Sequence, residues 1–334
     1  MNKDKKVSNK ILTFLKHNII NCITIIFILV CIFYRPNVTV QTTGGLIDIS
    51  KRLSNIQYKS KGSFNLTYVT SYRGNLITVL FGKIFPDWEI VKDSDISSLD
   101  YETLSKAQTI SLYSSISNAT YNAYKSANVD INIKNYNYYI YYILDDADTT
   151  LKIGDKVLEY DGIEMKDSYD FRKYIQSKNE GDIINFKVLR NKKEIEVSSK
   201  VYLYDDVKVV GIVIYTIFEY DNNPDIHYEY KESELGSSGG LMLSLSIYNA
   251  LVEEDITKGL KISGTGTIEL DGTVGEIAGI KYKILGAAKN RADVFIVPAN
   301  NYDEAKELVD KRKLKIKLIK AENFNQILDE LSKL

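Results

Sequence analysis

The chain has 334 residues, 44% of them hydrophobic and 26% charged, enough for more than one domain with its own core. Its 43 Lys+Arg against 44 Asp+Glu give a net charge of -1, without the basic excess expected of a nucleic-acid-binding protein. Cys22 and Cys31 share one apolar run and the only histidines are His17 and His227, which excludes a disulfide framework and a cysteine zinc cluster and leaves little room for a Ser-His-Asp triad. No nucleic acid, metal or cofactor is therefore expected.

Residues 1–18 carry Lys3, Lys5, Lys6, Lys10 and Lys16 and read as a basic segment on the cytoplasmic side. The run from Ile19 to Tyr34 is apolar except for Asn21 and Thr24. Its sixteen residues reach ~24 Å, short of a ~30 Å bilayer core, but Lys16 and Arg35 can snorkel and Tyr34 suits the interface. A cleaved signal peptide has the same layout, yet no small-x-small site follows, and Val30 before Cys31 disfavours lipid attachment. The expectation is an uncleaved transmembrane anchor over residues 19–35 with the lipid bilayer as partner. Everything after Arg35 would then lie outside the cytoplasm.

Residues 36–131 are expected to form an extracytoplasmic part that belongs with the C-terminal region. Gly44-Gly45 reads as loop and residues 62–69 as strand, while residues 76–85 fit a strand or a short helix. Residues 95–129 lack Pro and Gly and space Tyr101, Leu104, Leu112, Ile116, Ala119 and Ala123 for a long helix starting near Ser97 or Ser98.

Residues 132–204 form a compact β-rich pattern. A strand at residues 138–144 precedes Gly154-Asp155, then Asp161-Gly162 marks a turn between strands. A helix at 168–177, Gly181-Asp182, and strands at 183–190 and 194–201 follow. This order resembles a PDZ domain of the circularly permuted bacterial kind, which implies binding of an extended peptide at a sheet edge beside a helix.

Strands at 207–220 and 226–231 lead to Gly236-Ser237-Ser238-Gly239-Gly240 and the apolar, Pro- and Gly-free stretch 241–252. A serine on a glycine-rich turn at a helix start has free N–H groups and a positive dipole end nearby, a ready oxyanion hole. A flexible Gly/Ser loop is the plain alternative. Gly236-x-Ser238-x-Gly240 fits the nucleophile-elbow pattern, but that triad needs a later histidine and none follows His227. A nucleophilic Ser238 would pass its proton to a lysine, with His227 still open as base.

Residues 261–277 read as a hairpin with Asp271-Gly272 at its tip, followed by Ile280-Lys281-Tyr282-Lys283 entering a helix at 281–290. Strand, helix, strand and helix complete the chain at 293–298, 302–311, 314–319 and 321–334. The serine loop, Thr265-Gly266-Thr-Ile268 and Gly279-Ile-Lys-Tyr-Lys283 together resemble the proteolytic domain of Lon-type serine proteases. The whole layout is similar to the membrane-anchored, PDZ-containing branch of that family in Gram-positive bacteria.

That resemblance implies an α+β chain made of an N-terminal transmembrane helix, a PDZ-like β-rich domain and, over residues 205–334, a Lon-type proteolytic α+β domain. It implies Ser238 as nucleophile, Lys283 as general base with Lys281 as competitor, and Thr265 bonded to the lysine. Amides around Gly236 and Gly239 would hold the oxyanion. Ser237 replaces the family proline, Gly239 its alanine and Ala278 a glycine, while Leu235 stands where relatives carry an acidic residue or Gly.

To act as a base near neutrality, Lys283 needs a pKa lowered from ~10.4 towards ~7–8, which burial can provide. No Gly-x-x-x-x-Gly-Lys-Ser/Thr occurs, so an ATP-independent endopeptidase acting on short or exposed polypeptides is expected. Relatives allow a homo-oligomer. The alternative is a non-catalytic, membrane-tethered peptide-binding scaffold with a decayed protease fold.

Overall fold

A computed structural model of the chain describes residues 18–92, 99–231 and 236–334. It divides into two compact units, one made of residues 1–43 and 69–98 and the other of residues 44–68 and 99–334. The basic segment before residue 18, the expected helix start at Ser97 or Ser98, and Leu235 lie outside the described residues.

Helix α1 (Ile19–Phe33) belongs to the first unit, and none of its residues is buried. It is fifteen residues long, and among the described residues no helix is long and apolar enough to cross a membrane. The helix ends two residues before the end of the expected 19–35 span. Tyr34 is already extended, and Pro36 biases Arg35 away from helical geometry. Strand β1 (Val38–Asp48) pairs antiparallel, through residues 38–41, with β3 (Glu89–Lys92). Between them in sequence come β2 (Ser63–Arg73) and helix α2 (Leu76–Ile84). Residues 76–85, compatible with strand or helix, become helix because Asn75 and Thr78 form a reciprocal cap.

In the second unit Gly44-Gly45 is strand rather than loop. A Cβ on Gly44 would sit 1.9 Å from the Tyr68 carbonyl oxygen, so this strand approach requires glycine. The long helix is α3 (Tyr101–Ser126), and the Asp100 carboxylate caps it by accepting from the Glu102 and Thr103 amides.

Strands β4 (Ile131–Ile143), β5 (Lys156–Tyr160), β6 (Ile183–Arg190), β7 (Lys193–Lys200) and β8 (Ile212–Asn222) form an antiparallel sheet in the order β8–β4–β5–β6–β7. Asp161 and Gly162 both take positive φ in the turn after β5, as the Asp-Gly pair predicts. Helix α4 (Ser168–Gln176) buries Phe171 and Ile175 against Ile140, Val157 and Phe186. Asp155 is buried and held by Arg190 through two 2.6 Å bonds.

Helix α5 (Gly240–Leu251) buries every residue except Tyr248. Strand β9 (Lys261–Gly264) does not form a hairpin arm. It lies parallel between β2 and β10 (Val294–Pro298), and only Thr267–Ile268 pairs back onto Val274–Gly275. Helices α6 (Ile280–Lys289) and α7 (Tyr302–Arg312), strand β11 (Lys317–Ala321) parallel to β10, and helix α8 (Phe324–Ser332) complete the unit. Strand β10 is buried on both faces. Val294 and Ile296 join the core around α5, whereas Phe295 and Val297 join the core around α6 and α7. Helices α5 and α6 thus cover opposite faces of one sheet.

Candidate active site

Thr265 follows the carboxyl end of β9, and its amide donates to Ile296 O on β10 at 3.1 Å. The starts of α5 and α6 meet at this point from the two faces of the sheet. The Thr265 hydroxyl donates to Ser238 O at 2.9 Å, and the Gly266 amide donates to the same oxygen at 2.8 Å. From α6, the Lys283 Nζ donates at 2.9 Å to Ser238 Oγ and at 2.9 Å to Thr265 Oγ1. Ser238, Thr265 and Lys283, drawn from three elements, therefore form one hydrogen-bonded group.

Lys283 is only 5% exposed, and Ile280, Tyr282 and Ile284 beside it are buried as well. Burial disfavours the ammonium and brings the Lys283 pKa down to about 8. Lys281 instead extends over the Tyr282 ring, 5.2 Å from its centroid. His227 pairs with Asp225 at 2.7 Å on an exposed two-residue strand, so it neither packs in the core nor joins this group.

The serine loop is shaped by close approach. Gly236 has φ +96, and a Cβ on Gly240 would meet Ser115 Oγ at 2.5 Å and Ile268 Cγ2 at 2.9 Å. A Cβ on Gly239 would lie 2.2 Å from Leu66 Cδ2, so a larger residue there needs the Leu66 side chain to shift. The space is filled rather than slack. The Gly236 amide donates to Gln108 O at 3.2 Å, which removes it from the expected oxyanion donors. The amides of Ser238 and Gly239 meet no acceptor among the described residues.

Helix α3 supplies contacts that no motif in the sequence marks. Ser115 Oγ donates to Ser237 O, Asn118 to Ile268 O and Asn122 to Glu269 O, at 3.2, 3.0 and 2.8 Å. The available signal was the density of Ser, Thr and Asn within a helix, residue types that are unusual in a buried face without partners.

A cleft of about 780 Å³ runs beside the loop, lined by Ser115, Ser237, Ile268 and Glu269 and reaching Ser168 and Ile214. A second groove of about 410 Å³ lies between α4 and residues 207–214, lined by Phe171, Ile175, Val209 and Ile212, and shares Ser168 and Ile214 with the first.

Residues 218–333 match the Lon protease (S16) C-terminal proteolytic domain, and residues 143–201 match the PDZ domain. The chain is 27% identical over 141 residues to a Lon protease of Heliobacterium modesticaldum, covering 41% of this chain and 17% of that protein. It is 30% identical over 114 residues to a Lon protease of Clostridium acetobutylicum, covering 33% and 14%. The match thus spans less than a fifth of these relatives' length. A solved PDZ domain of an SdrC-like protein from Listeria monocytogenes is 26% identical, covering 25% of this chain and 92% of that one, with a TM-score of 0.23, too low to bear on the fold. A Lon protease C-terminal proteolytic domain and a PDZ domain are both present in this chain.

Proposed function

We propose that the chain is a membrane-attached, ATP-independent serine endopeptidase that cleaves exposed or short polypeptides with Ser238 as nucleophile and Lys283 as general base. One observation carries the reading: a buried lysine amine with a pKa near 8 lies 2.9 Å from a serine hydroxyl. At neutral pH roughly a tenth of such an amine is unprotonated, enough to supply a base.

The neutral amine accepts the Ser238 hydroxyl proton as Oγ attacks the substrate carbonyl carbon. The carbonyl oxygen gains the negative charge, opposite the Ser238 and Gly239 amides and the positive end of α5. When the C–N bond breaks, the Lys283 ammonium returns its proton to the leaving amine, and an ester on Ser238 remains. Water then attacks the ester, gives its proton to Lys283, and Ser238 recovers a proton as the acid departs. Thr265 has committed its own proton to Ser238 O, so its oxygen can only accept from Lys283. That fixes the amine while its lone pair faces Ser238.

The two cavities, whose linings share Ser168 and Ile214, support a polypeptide substrate. Strand β8 is the edge of its sheet, and at Ile212–Ile214 it faces α4 across the smaller groove, suited to strand addition by a peptide. From Ser168 and Ile214 such a peptide has a path to Ser237. The exposed apolar helix α1 supports attachment to a bilayer.

The test is cleavage of unfolded casein by the full chain in detergent micelles, wild type against Ser238→Ala and Lys283→Met, without ATP. Both variants should be inactive. Activity in Lys283→Met would overturn the base assignment. A wild type that binds peptide and never cleaves would favour the non-catalytic scaffold.

A further inference from the structure

The first unit turns its large apolar side chains outward. Helix α2 has no buried residue, and Leu80 and Ile84 are 54% and 60% exposed. On the helix wheel both lie opposite Gly82, whose missing side chain lets the helix sit against Ile90. The side facing the protein is thus the small one, and the side facing away carries the large apolar groups, the reverse of a water-facing helix.

An aromatic cluster borders this face. Phe81 lies 5.7 Å from Phe85 and 5.9 Å from Trp88, Phe85 lies 5.9 Å from Trp88, and Tyr72 stacks on Trp88 at 6.4 Å. Tyr72, Phe81 and Phe85 are all exposed. Four cations of the same unit, Arg35, Arg73, Lys83 and Lys92, are exposed too. Arg35 donates to Arg73 O at 3.2 Å, which ties the residue just after α1 to the end of β2, directly before α2. Helices α1 and α2 pack together, so the exposed face of α2 continues the apolar surface of α1.

Aliphatic groups on one helix face, Trp and Tyr at its border and cations around it match the layers of a membrane interface: acyl chains, carbonyl region and anionic headgroups. We propose that α2, with Tyr72, Phe81, Phe85 and Trp88, is a second lipid contact seated in the interfacial layer of an anionic bilayer beside α1. It rests on the membrane-attached reading above. It also fits a helix α1 too short to cross, since a second apolar element gives the hold that fifteen residues alone would lack.

Trp88 is the only tryptophan of the chain, so its fluorescence reports this patch alone. The full chain is reconstituted into vesicles of phosphatidylcholine with phosphatidylglycerol, floated on a density gradient, and compared in vesicles with and without brominated acyl chains. The expected result is flotation, a blue-shifted Trp88 emission, and loss of most of that emission to the brominated lipid. Leu80→Ser/Ile84→Ser should still float through α1 and should escape most of the quenching. Flotation without quenching of Trp88, or quenching unchanged in the double variant, overturns the second contact and leaves attachment standing. Failure to float overturns both. Shielding of Trp88 that grows with protein concentration without vesicles points to a second copy as occupant and also overturns it.

Discussion

The Thr265 hydroxyl donates to the carbonyl oxygen of Ser238 at 2.9 Å and so accepts, rather than competes for, the proton of Lys283. In the proposed mechanism this bond holds the amine. Thr265→Val should lower kcat by about 10–100-fold with little change in KM, the range expected when one hydrogen bond to a charged or reacting group is lost. Thr265→Ser should recover most of that loss. Steady-state kinetics across pH provides the check, because a freed Lys283 would also shift the rising limb of the profile.

Activity should rise with pH through about 8 and then level as the Lys283 ammonium loses its proton. Stability follows the same group with a defined sign. Between about pH 8 and the unfolded value near 10.4, the unfolded chain holds a proton that the folded chain lacks, so this contribution to stability rises with pH there. Below pH 8 the full burial cost, on the order of 3 kcal/mol, is present. Lys283→Met should therefore be inactive yet melt higher than wild type at pH 7 and lose that advantage near pH 10, as read by scanning calorimetry.

Gly240→Ala should destabilise the serine loop by about 1–3 kcal/mol, because its Cβ meets Ser115 Oγ and Ile268 at sub-contact distances. Ser115→Ala combined with it should restore part of the loss, leaving the Ile268 clash. Urea denaturation of the two single variants and the double variant measures that coupling.

Arg190→Ala leaves the buried Asp155 carboxylate without its cation, which should cost about 3–5 kcal/mol. The replacement pair Arg190→Leu/Asp155→Leu should be far milder. Thermal unfolding compares them, and an unchanged melting temperature for Arg190→Ala would contradict the buried-pair account.

Local signals were readable where one segment fixes its own state. The apolar stretch after Gly240 became α5 within one residue at each end, because a helix apolar on all sides has no other stable place than a core. Asp161-Gly162 became a positive-φ turn for the same local reason. Strand β9 reads as a hairpin arm in the sequence because its partners, residues 63–66 and 294–296, are remote and parallel. Gly44-Gly45 reads as loop because the demand for glycine comes from Tyr68, which composition does not reveal. The polar face of α3 gives no local sign of its role because Ser115, Asn118 and Asn122 bond carbonyls more than a hundred residues away.

The sequence by itself determined which residue types could carry the chemistry. With no histidine after His227, a serine on a glycine turn needed a lysine, and both lysines of Ile280–Lys283 were visible. Only the tertiary structure brings one of them beside the serine. The helical turn carries Lys283 inward to Ser238 and Thr265 and leaves Lys281 over Tyr282. Burial then lowers the pKa of Lys283, a property of the environment that packing creates and that no residue possesses in the unfolded chain.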